Sequence, residues 1–438
     1  MNVIDIDAYR MAQVIKQSWA EAEDLVIGSS SRSSIQQIEK AITGRTASRW
    51  LLKLGFKWKE VKKGVYNDGH ERDDVVGYRK EVFLPFLKSV ESRLMEWDEN
   101  LIPIPTQLVL DGDIEALIIV THDKYTFNAN DGKRFVWTHE EHNPIRKKGR
   151  GQGLHVSELL TPIGRLGGGK ACEILKCGGD VWWDGAKLLE QVLTKAIPAF
   201  EEGFPGCQVL FMFDNAKSHI KYVEDALRVS KMNLEDGGKN ARPMRATFVA
   251  DITHPEGGWL QSLVREDGTP KGLRTVLSER NLWPTTCRRF LTQCSIKTSS
   301  GKSKPNPDCL KGGHCCAWGL LALQLDFEAQ KGEQQETIEK AGHLVLFYPP
   351  FHCEINFIEY FWEAAKRYTC EHCEYDFPSL KRLVPKAMEQ IPNQVIWKYA
   401  NRAKRIIKAY DTGAIYGSES YKSIVSTKYK SHRRVSNV

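Results

Sequence analysis

Three acidic residues stand where a divalent metal could be held. Asp123 closely follows an apolar run, residues 116–120 (ALIIV), that reads as a short buried strand. Asp214 directly follows a second such run, Gln208–Phe213 (QVLFMF). Glu359 lies one turn into a helix expected over residues 355–368, after a last strand at residues 343–348 (HLVLFY). Ligands collect at strand ends in α/β sheets. Two acids at the ends of neighbouring strands and a third from a nearby helix would therefore converge on one point. Mg²⁺ or Mn²⁺ takes hard oxygen ligands and keeps several waters, so two or three carboxylates suffice. Two such ions roughly 4 Å apart activate a water or a 3′-hydroxyl and stabilise the leaving oxygen of an in-line displacement at phosphorus. An Asp after a strand also serves simply to cap a turn. Glu354, beside the last strand, competes with Glu359 for the third place.

The elements that must position these acids read as follows. Residues 135–138, 153–159 and 171–176 are further strand candidates, with Gly164, Gly167, Gly168 and Gly169 in a turn, as an antiparallel meander. A helix is predicted over residues 185–200, with Leu188, Leu189, Val192, Leu193 and Ile197 on its apolar face. Strands, then a helix, then a strand is the opening order of the ribonuclease-H-like fold, an α/β class with a mixed sheet flanked by helices. Residues 230–335 break the pattern and read as a long Cys/Gly-rich insertion before the last catalytic helix. Ahead of the sheet, Ser33 and Ser34 cap a predicted helix at residues 35–42. Gly44 breaks it, a second helix covers residues 46–54, and Gly55 ends that one. This is a helix-turn-helix pattern that would turn Arg45 and Arg49 to a DNA groove, though an ordinary helical hairpin has the same signature. A longer helix follows at residues 74–97. Three regions result: helical residues 1–104, a catalytic domain over 105–377 with its insertion at about 230–335, and a helical then basic tail over 378–438.

The chain has 438 residues, 41% of them hydrophobic, which suffices for a core and about two to three domains. The net charge of +7 permits a polyanionic partner without requiring one. Its distribution is more informative. Arg402, Lys404, Arg405, Lys408, Lys422, Lys428, Lys430, Arg433 and Arg434 are opposed only by Asp411 and Glu419 in the tail, and Arg146, Lys147, Lys148 and Arg150 form a second run. Either could follow a phosphate backbone or be a solvated surface. The N-terminus carries no signal segment and no run of about 18 apolar residues exists, so no membrane span is expected. The 11 cysteines of such a chain suggest reduced thiols or metal ligands, and hence an intracellular protein, nuclear if it acts on DNA. Cys309, His314, Cys315 and Cys316, then His352 and Cys353, then Cys370, His372 and Cys373 have ligand chemistry. A structural Zn²⁺ would draw on Cys309, Cys315, Cys370 and Cys373. Buried free cysteine is the alternative.

The segments THDKYTF (residues 121–127), FDNAKSH (213–219) and EINFIEYFW (354–362) resemble the three catalytic blocks of the mariner/pogo-like DDE transposases, in particular the fungal DDE-superfamily-endonuclease branch. The resemblance covers most of the chain outside the insertion. It implies that Asp123, Asp214 and Glu359 hold Mg²⁺ or Mn²⁺, with Asn215 and His219 as neighbours; His219 could orient a ligand or simply make a structural hydrogen bond, and Glu363, one turn after Glu359, could be a spare ligand or support or a solvated glutamate. It also implies a double-stranded DNA substrate and a homodimer. Residues 45–55 resemble the second DNA-reading helix of that family. Phe357 stands where the family has proline, the interval between Asp214 and Glu359 is longer than usual, and the N-terminal region is short for a paired helix-turn-helix. Those differences leave two functional readings: an active transposase and endonuclease, or a transposase-derived DNA-binding protein that does not cut.

Overall fold

The computed structural model describes residues 48–49, 52–53, 57–60, 69–106, 109, 112, 114–133, 135–138, 147–178, 183–215, 221–250, 254–284, 290–297, 303–306 and 315–425. Most of the predicted helix-turn-helix, Arg45 included, lies outside these residues. Arg49 is on helical backbone and exposed. The described residues of Met1–Asn215 and His343–Val438 form one compact unit, and those of Ala216–Gly342 a second.

The first unit is built on a mixed sheet. Its strands are β1 (Leu117–Asn128), β2 (Gly153–Thr161), β3 (Glu173–Lys176), β4 (Gln208–Phe213) and β5 (Leu344–Phe347). Their order across the sheet is β3-β2-β1-β4-β5, with a short strand, Gly164–Arg165, also paired to β2. β2 runs antiparallel to both β1 and β3, whereas β4 is parallel to β1 and β5 parallel to β4. A three-strand meander followed by two parallel strands added on the other side of the first is the ribonuclease-H-like topology. β1 is longer than its apolar run, because β2 continues to pair with it from Thr121↔Leu160 to Asn128↔Gly153. Asp123 is thus within the strand, not after it. The stretch Phe135–Thr138 is a strand as predicted, but it leaves the meander and pairs with Lys57–Glu60 in a separate ribbon.

Helices cover both faces. On one, Gly185–Gln191, Val192–Ala196 and Ile197–Gly203 run on as α2, which buries Leu188, Val192, Ala196 and Phe200. Gln191 ties α2 to Ser157 of β2 through two hydrogen bonds. On the other lie α1 (Asp73–Tyr78, Arg79–Phe83 and Leu84–Ser89 in succession), α3 (Ile358–Glu371), α4 (Phe377–Glu389) and α5 (Asn393–Asp411). Both α1 and α2 widen to a π turn just before Pro85 and Pro198, whose missing N–H cannot close an α-helical bond. α1 ends at Ser89, short of residue 97, because Glu96–Trp97 pairs with Pro103–Ile104 as a small ribbon.

α3 begins at Ile358, after a single turn at Cys353–Ile355. Phe357, Ile358, Phe361, Trp362 and Ala365 share a core with Phe127 of β1 and Leu154, Val156 and Leu160 of β2. A second core joins α1 (Phe83, Leu84, Leu87) and α5 (Ile406, Ala409, Tyr410) to Leu117, Leu210, Met212, Leu346 and Tyr348. Phe361 is fully buried in the first core. Phe361→Ala should cost roughly 3–5 kcal/mol of stability. Urea unfolding of the full chain checks this, and a loss under about 1 kcal/mol would mean that α3 is not packed on the sheet as described.

Candidate active site

The parallel pairing of β1 with β4 ends at Thr121↔Met212. Asp123 and Asp214 each lie two residues beyond that last pair, at equivalent positions on strands spaced about 4.8 Å apart. Beyond this point β1 keeps its partner β2 on one side only. The acids therefore stand where the two parallel strands part. Glu359 is the second residue of α3, in its first turn rather than a full turn in. Helix and strand are joined by a buried relay: the Tyr348 hydroxyl donates to Thr121 Oγ1 (3.0 Å), and Thr121 Oγ1 donates to Asn356 Oδ1 (2.6 Å). Asn356 is three residues before Glu359 and Thr121 two before Asp123, so the relay fixes the two carboxylates relative to each other. The Glu359 N–H bonds the Asn356 carbonyl at 3.1 Å. Phe357 has φ −68°, an angle that a proline would also adopt, and its ring enters the core.

Electrostatics bring all three acids together. Burial raises the proton affinity of Asp123, and the charges of Glu359 and Asp214 raise it further. The Lys124 N–H and the Trp362 indole N–H pull the other way. Burial likewise raises Glu359, with Asp214 and then Glu363 adding to it. Tyr348, fully enclosed, is pushed up by burial and by the charges of Asp214 and Asp123. The carboxylates thus share one field, the environment that a divalent cation would relieve. The triad is not among the groups of described residues whose ligand atoms all meet within 4.8 Å. Hard oxygen donors in such an open arrangement fit Mg²⁺ or Mn²⁺ with waters completing the shell.

Trp362 gives Asp123 its orientation. The indole is 1% exposed, is in the core, and its Nε1 donates to Asp123 Oδ2 at 3.0 Å. From sequence it reads only as a core residue. Two other carboxylates of this unit have local partners, although burial outweighs the Arg165 charge and raises the proton affinity of Glu158. Glu158, the cross-strand partner of Asp123, is fully buried and paired with Arg165 at 2.6 Å. Glu354 is spoken for as well. Its Oε1 receives bonds from His352 Nδ1 (2.7 Å), the Tyr410 hydroxyl (2.7 Å) and His70 Nε2 (3.1 Å), and Arg79 donates to the far nitrogen of His352 (3.1 Å). Burial alone would raise Glu354, but the bonds from His352 and His70 outweigh it and hold it at about 2. His70, His352 and Glu354 have ligand atoms within 4.8 Å of one another. The Arg79 guanidinium and Tyr410 fill the positions around them, so this is a hydrogen-bonded clamp joining α1, the turn before α3 and α5. Its members are 284 residues apart in one case, beyond any local signal.

The remaining predicted residues fall as follows. Asn215 is exposed beside Asp214, and Glu363 is exposed one turn after Glu359. His219, Arg146 and Cys309 lie outside the described residues. Lys147, Lys148 and Arg150 are exposed, and Lys147 Nζ reaches the Tyr375 carbonyl at 2.7 Å. The four-cysteine zinc set includes Cys309, which lies outside the described residues, and its other members fall in separate units. Cys370 and Cys373 close α3 in the first unit, where Cys373 Sγ bonds the Ala129 carbonyl (3.4 Å), and they join no ligand group among the described residues. Cys315, in the second unit, is grouped instead with Cys294 and Cys316. No helix among the described residues is long and apolar enough to cross a membrane.

The fold and site define a ribonuclease-H-like domain with a cluster of acids at the parting of its central parallel strands. No family model matches the chain, and no curated protein matches it. Among solved structures it is similar to the Mos1 transposase paired-end complex with the left transposon end, at 13% identity and TM-score 0.38, over 91% of this chain and 79% of that one. It is also similar to the Mos1 strand transfer complex (11%, TM-score 0.38, 94% and 78%) and to the catalytic domain of Mos1 mariner transposase (10%, TM-score 0.34, 83% and 96%). The functional reading rests on the carboxylates themselves.

Two stability predictions follow from the contrast between the acids. A carboxyl with raised native pKa releases its proton later than the unfolded chain does, so its contribution to stability falls as pH rises above the ordinary carboxylate range. Asp123→Asn, which can still accept from Trp362, should therefore raise the Tm of the chelator-treated protein at pH 8. About 1 kcal/mol, or roughly 1–2 °C for a chain of this size, is expected, with the gain shrinking toward pH 5. A lower Tm at pH 8 than wild type contradicts the shared field. For Glu354 the sign is opposite. Its pKa is depressed, so its contribution is complete at neutral pH and is lost only on strong acidification. Glu354→Gln should cost about 3 kcal/mol in urea unfolding at pH 7. A change within about 0.5 kcal/mol would remove the clamp from the account.

Proposed function

We propose that this chain is a divalent-metal-dependent DNA endonuclease and strand transferase of the DDE transposase kind, with Asp123, Asp214 and Glu359 as metal ligands. The observation that carries it is that three acids from distant segments act on one another, Asp214 and Glu359 raising the proton affinity of Asp123 and Asp214 that of Glu359. Mg²⁺ or Mn²⁺, when bound, supplies a nucleophile deprotonated at neutral pH and charge neutralisation on the phosphoryl group.

The protein supplies position. Asp123 is held by its strand and by the Trp362 and Lys124 N–H groups. Glu359 is held by the Tyr348–Thr121–Asn356 relay. Asp214 comes from an open strand end and is exposed toward solvent, where a scissile phosphodiester could approach. Lys147, Lys148 and Arg150, with Arg146, Arg45 and Arg49, are the cations we assign to the phosphate backbone of duplex DNA. Asn215, His219 and Glu363 are assigned supporting roles around the ligands. We further propose a homodimer acting in the nucleus, on the family resemblance.

Purified full-length protein should nick duplex DNA in Mg²⁺ or Mn²⁺ and not in EDTA. Asp123→Ala, Asp214→Ala and Glu359→Ala should each reduce nicking about 100-fold or more. Undiminished cutting in all three variants refutes the ligand assignment. Salt-dependent duplex binding with no cleavage in either metal would favour the alternative, a transposase-derived DNA-binding protein.

A further inference from the structure

The second unit carries a thiol cluster that the proposed nuclease chemistry does not use. Cys294 immediately precedes the strand Ser295–Lys297, which pairs with Ser303–Pro305 as a hairpin. Cys315 and Cys316 immediately precede the helix Ala317–Ala322. The hairpin base and the helix start are already joined by backbone bonds: Ala317 N–H to the Leu291 carbonyl (2.9 Å), Trp318 N–H to the Thr292 carbonyl (3.0 Å), and Asn306 N–H to the Cys294 carbonyl (2.9 Å). These bonds bring three sulfurs within 4.8 Å of one another.

Their spacing is informative. Cys294 Sγ and Cys315 Sγ are 3.6 Å apart. A disulfide holds its sulfurs at about 2.05 Å. Zn–S bonds of about 2.3 Å at a tetrahedral angle place two sulfurs about 3.8 Å apart. The observed separation is thus close to one edge of a zinc-thiolate tetrahedron and far from a covalent bond. Cys316 Sγ, fully buried, accepts the Gly319 N–H at 3.4 Å. That is the kind of support that a ligating thiolate receives from its surroundings. The helix itself packs into the core of this unit, where Ala317, Leu320 and Leu321 meet Leu273, Val276 and Leu277. An ion at the three sulfurs would staple the hairpin to that core.

We propose that Cys294, Cys315 and Cys316 bind a structural Zn²⁺ in the second unit. This site differs from the four-cysteine set expected from sequence, since it takes Cys294 and Cys316 and leaves out Cys370 and Cys373. It goes beyond the nuclease reading and stands or falls independently of it.

The test is metal analysis of the full-length protein, purified without chelator from zinc-supplemented cells, together with zinc X-ray absorption. About one zinc per chain and a shell of at least three sulfurs near 2.3 Å are expected. Cys294→Ser and Cys315→Ser should lose the zinc, whereas the double variant Cys370→Ser/Cys373→Ser should keep it. Should the first two variants fail to fold, the sulfur shell of the wild type and the zinc content of the double variant still decide the matter. Wild-type protein with less than a tenth of an equivalent of zinc overturns the proposal. So do a shell without sulfur, a Cys294–Cys315 disulfide in the intact mass, zinc loss in the double variant, or full zinc in Cys294→Ser.

Discussion

Repulsion among Asp123, Asp214 and Glu359 is the interaction against which the first unit is built. Glu359 and Asp214 raise the proton affinity of Asp123, and Asp214 that of Glu359, so the folded chain holds them together at a cost in stability. What holds them is backbone. The register of β1 and β4 sets two of the acids level at the point where the strands part. The Tyr348–Thr121–Asn356 relay then ties the third, on α3, to the same place. Large apolar side chains around this frame, from Phe127 to Phe361, resist the separation that the charges favour. Such an arrangement favours binding of a cation, since the work of assembling the ligands has been done during folding.

The treatment of the other acids in the unit sharpens this. Glu158 lies across from Asp123 yet is bound to Arg165, and Glu354 is four residues after the Pro350 of the last strand's exit loop yet is surrounded by His70, His352 and Tyr410. Glu354 is held as an anion by donors that the fold provides, whereas burial raises Glu158 despite Arg165. Asp123 and Glu359 are raised not only by burial but by the charges of other acids, which is the mark of a shared cation site.

The fold class was readable because its signals are local. β4 is one apolar run with no polar interruption, and its bounds match the pattern residue for residue. The α2 stripe and the short apolar β5 were equally plain. β1 was read too short because THDK looks like a strand end. Only its long-range pairing with β2 keeps that polar segment extended. Phe135–Thr138 has strand composition, but nothing in the segment says that its partner is Lys57–Glu60. At the site, the acids could be picked out by type and placement, whereas their helpers could not. Trp362 has the spacing of a core residue, and its indole N–H matters only because Asp123 is opposite. The Glu354 clamp needs His70 and Tyr410, brought from the two ends of the unit by helix packing. The cysteines are a like case: Cys370-x-x-Cys373 has ligand spacing in sequence and lies at the end of α3, while Cys294 meets Cys315 only through a hairpin.

The most direct test of the shared field is to locate the cation. Crystals of the full chain soaked in Mn²⁺ and measured for anomalous scattering should give density among the Asp123, Asp214 and Glu359 side chains, with two peaks roughly 4 Å apart once DNA is bound. Anomalous density at the His70–His352–Glu354 clamp with none at the triad would contradict the account.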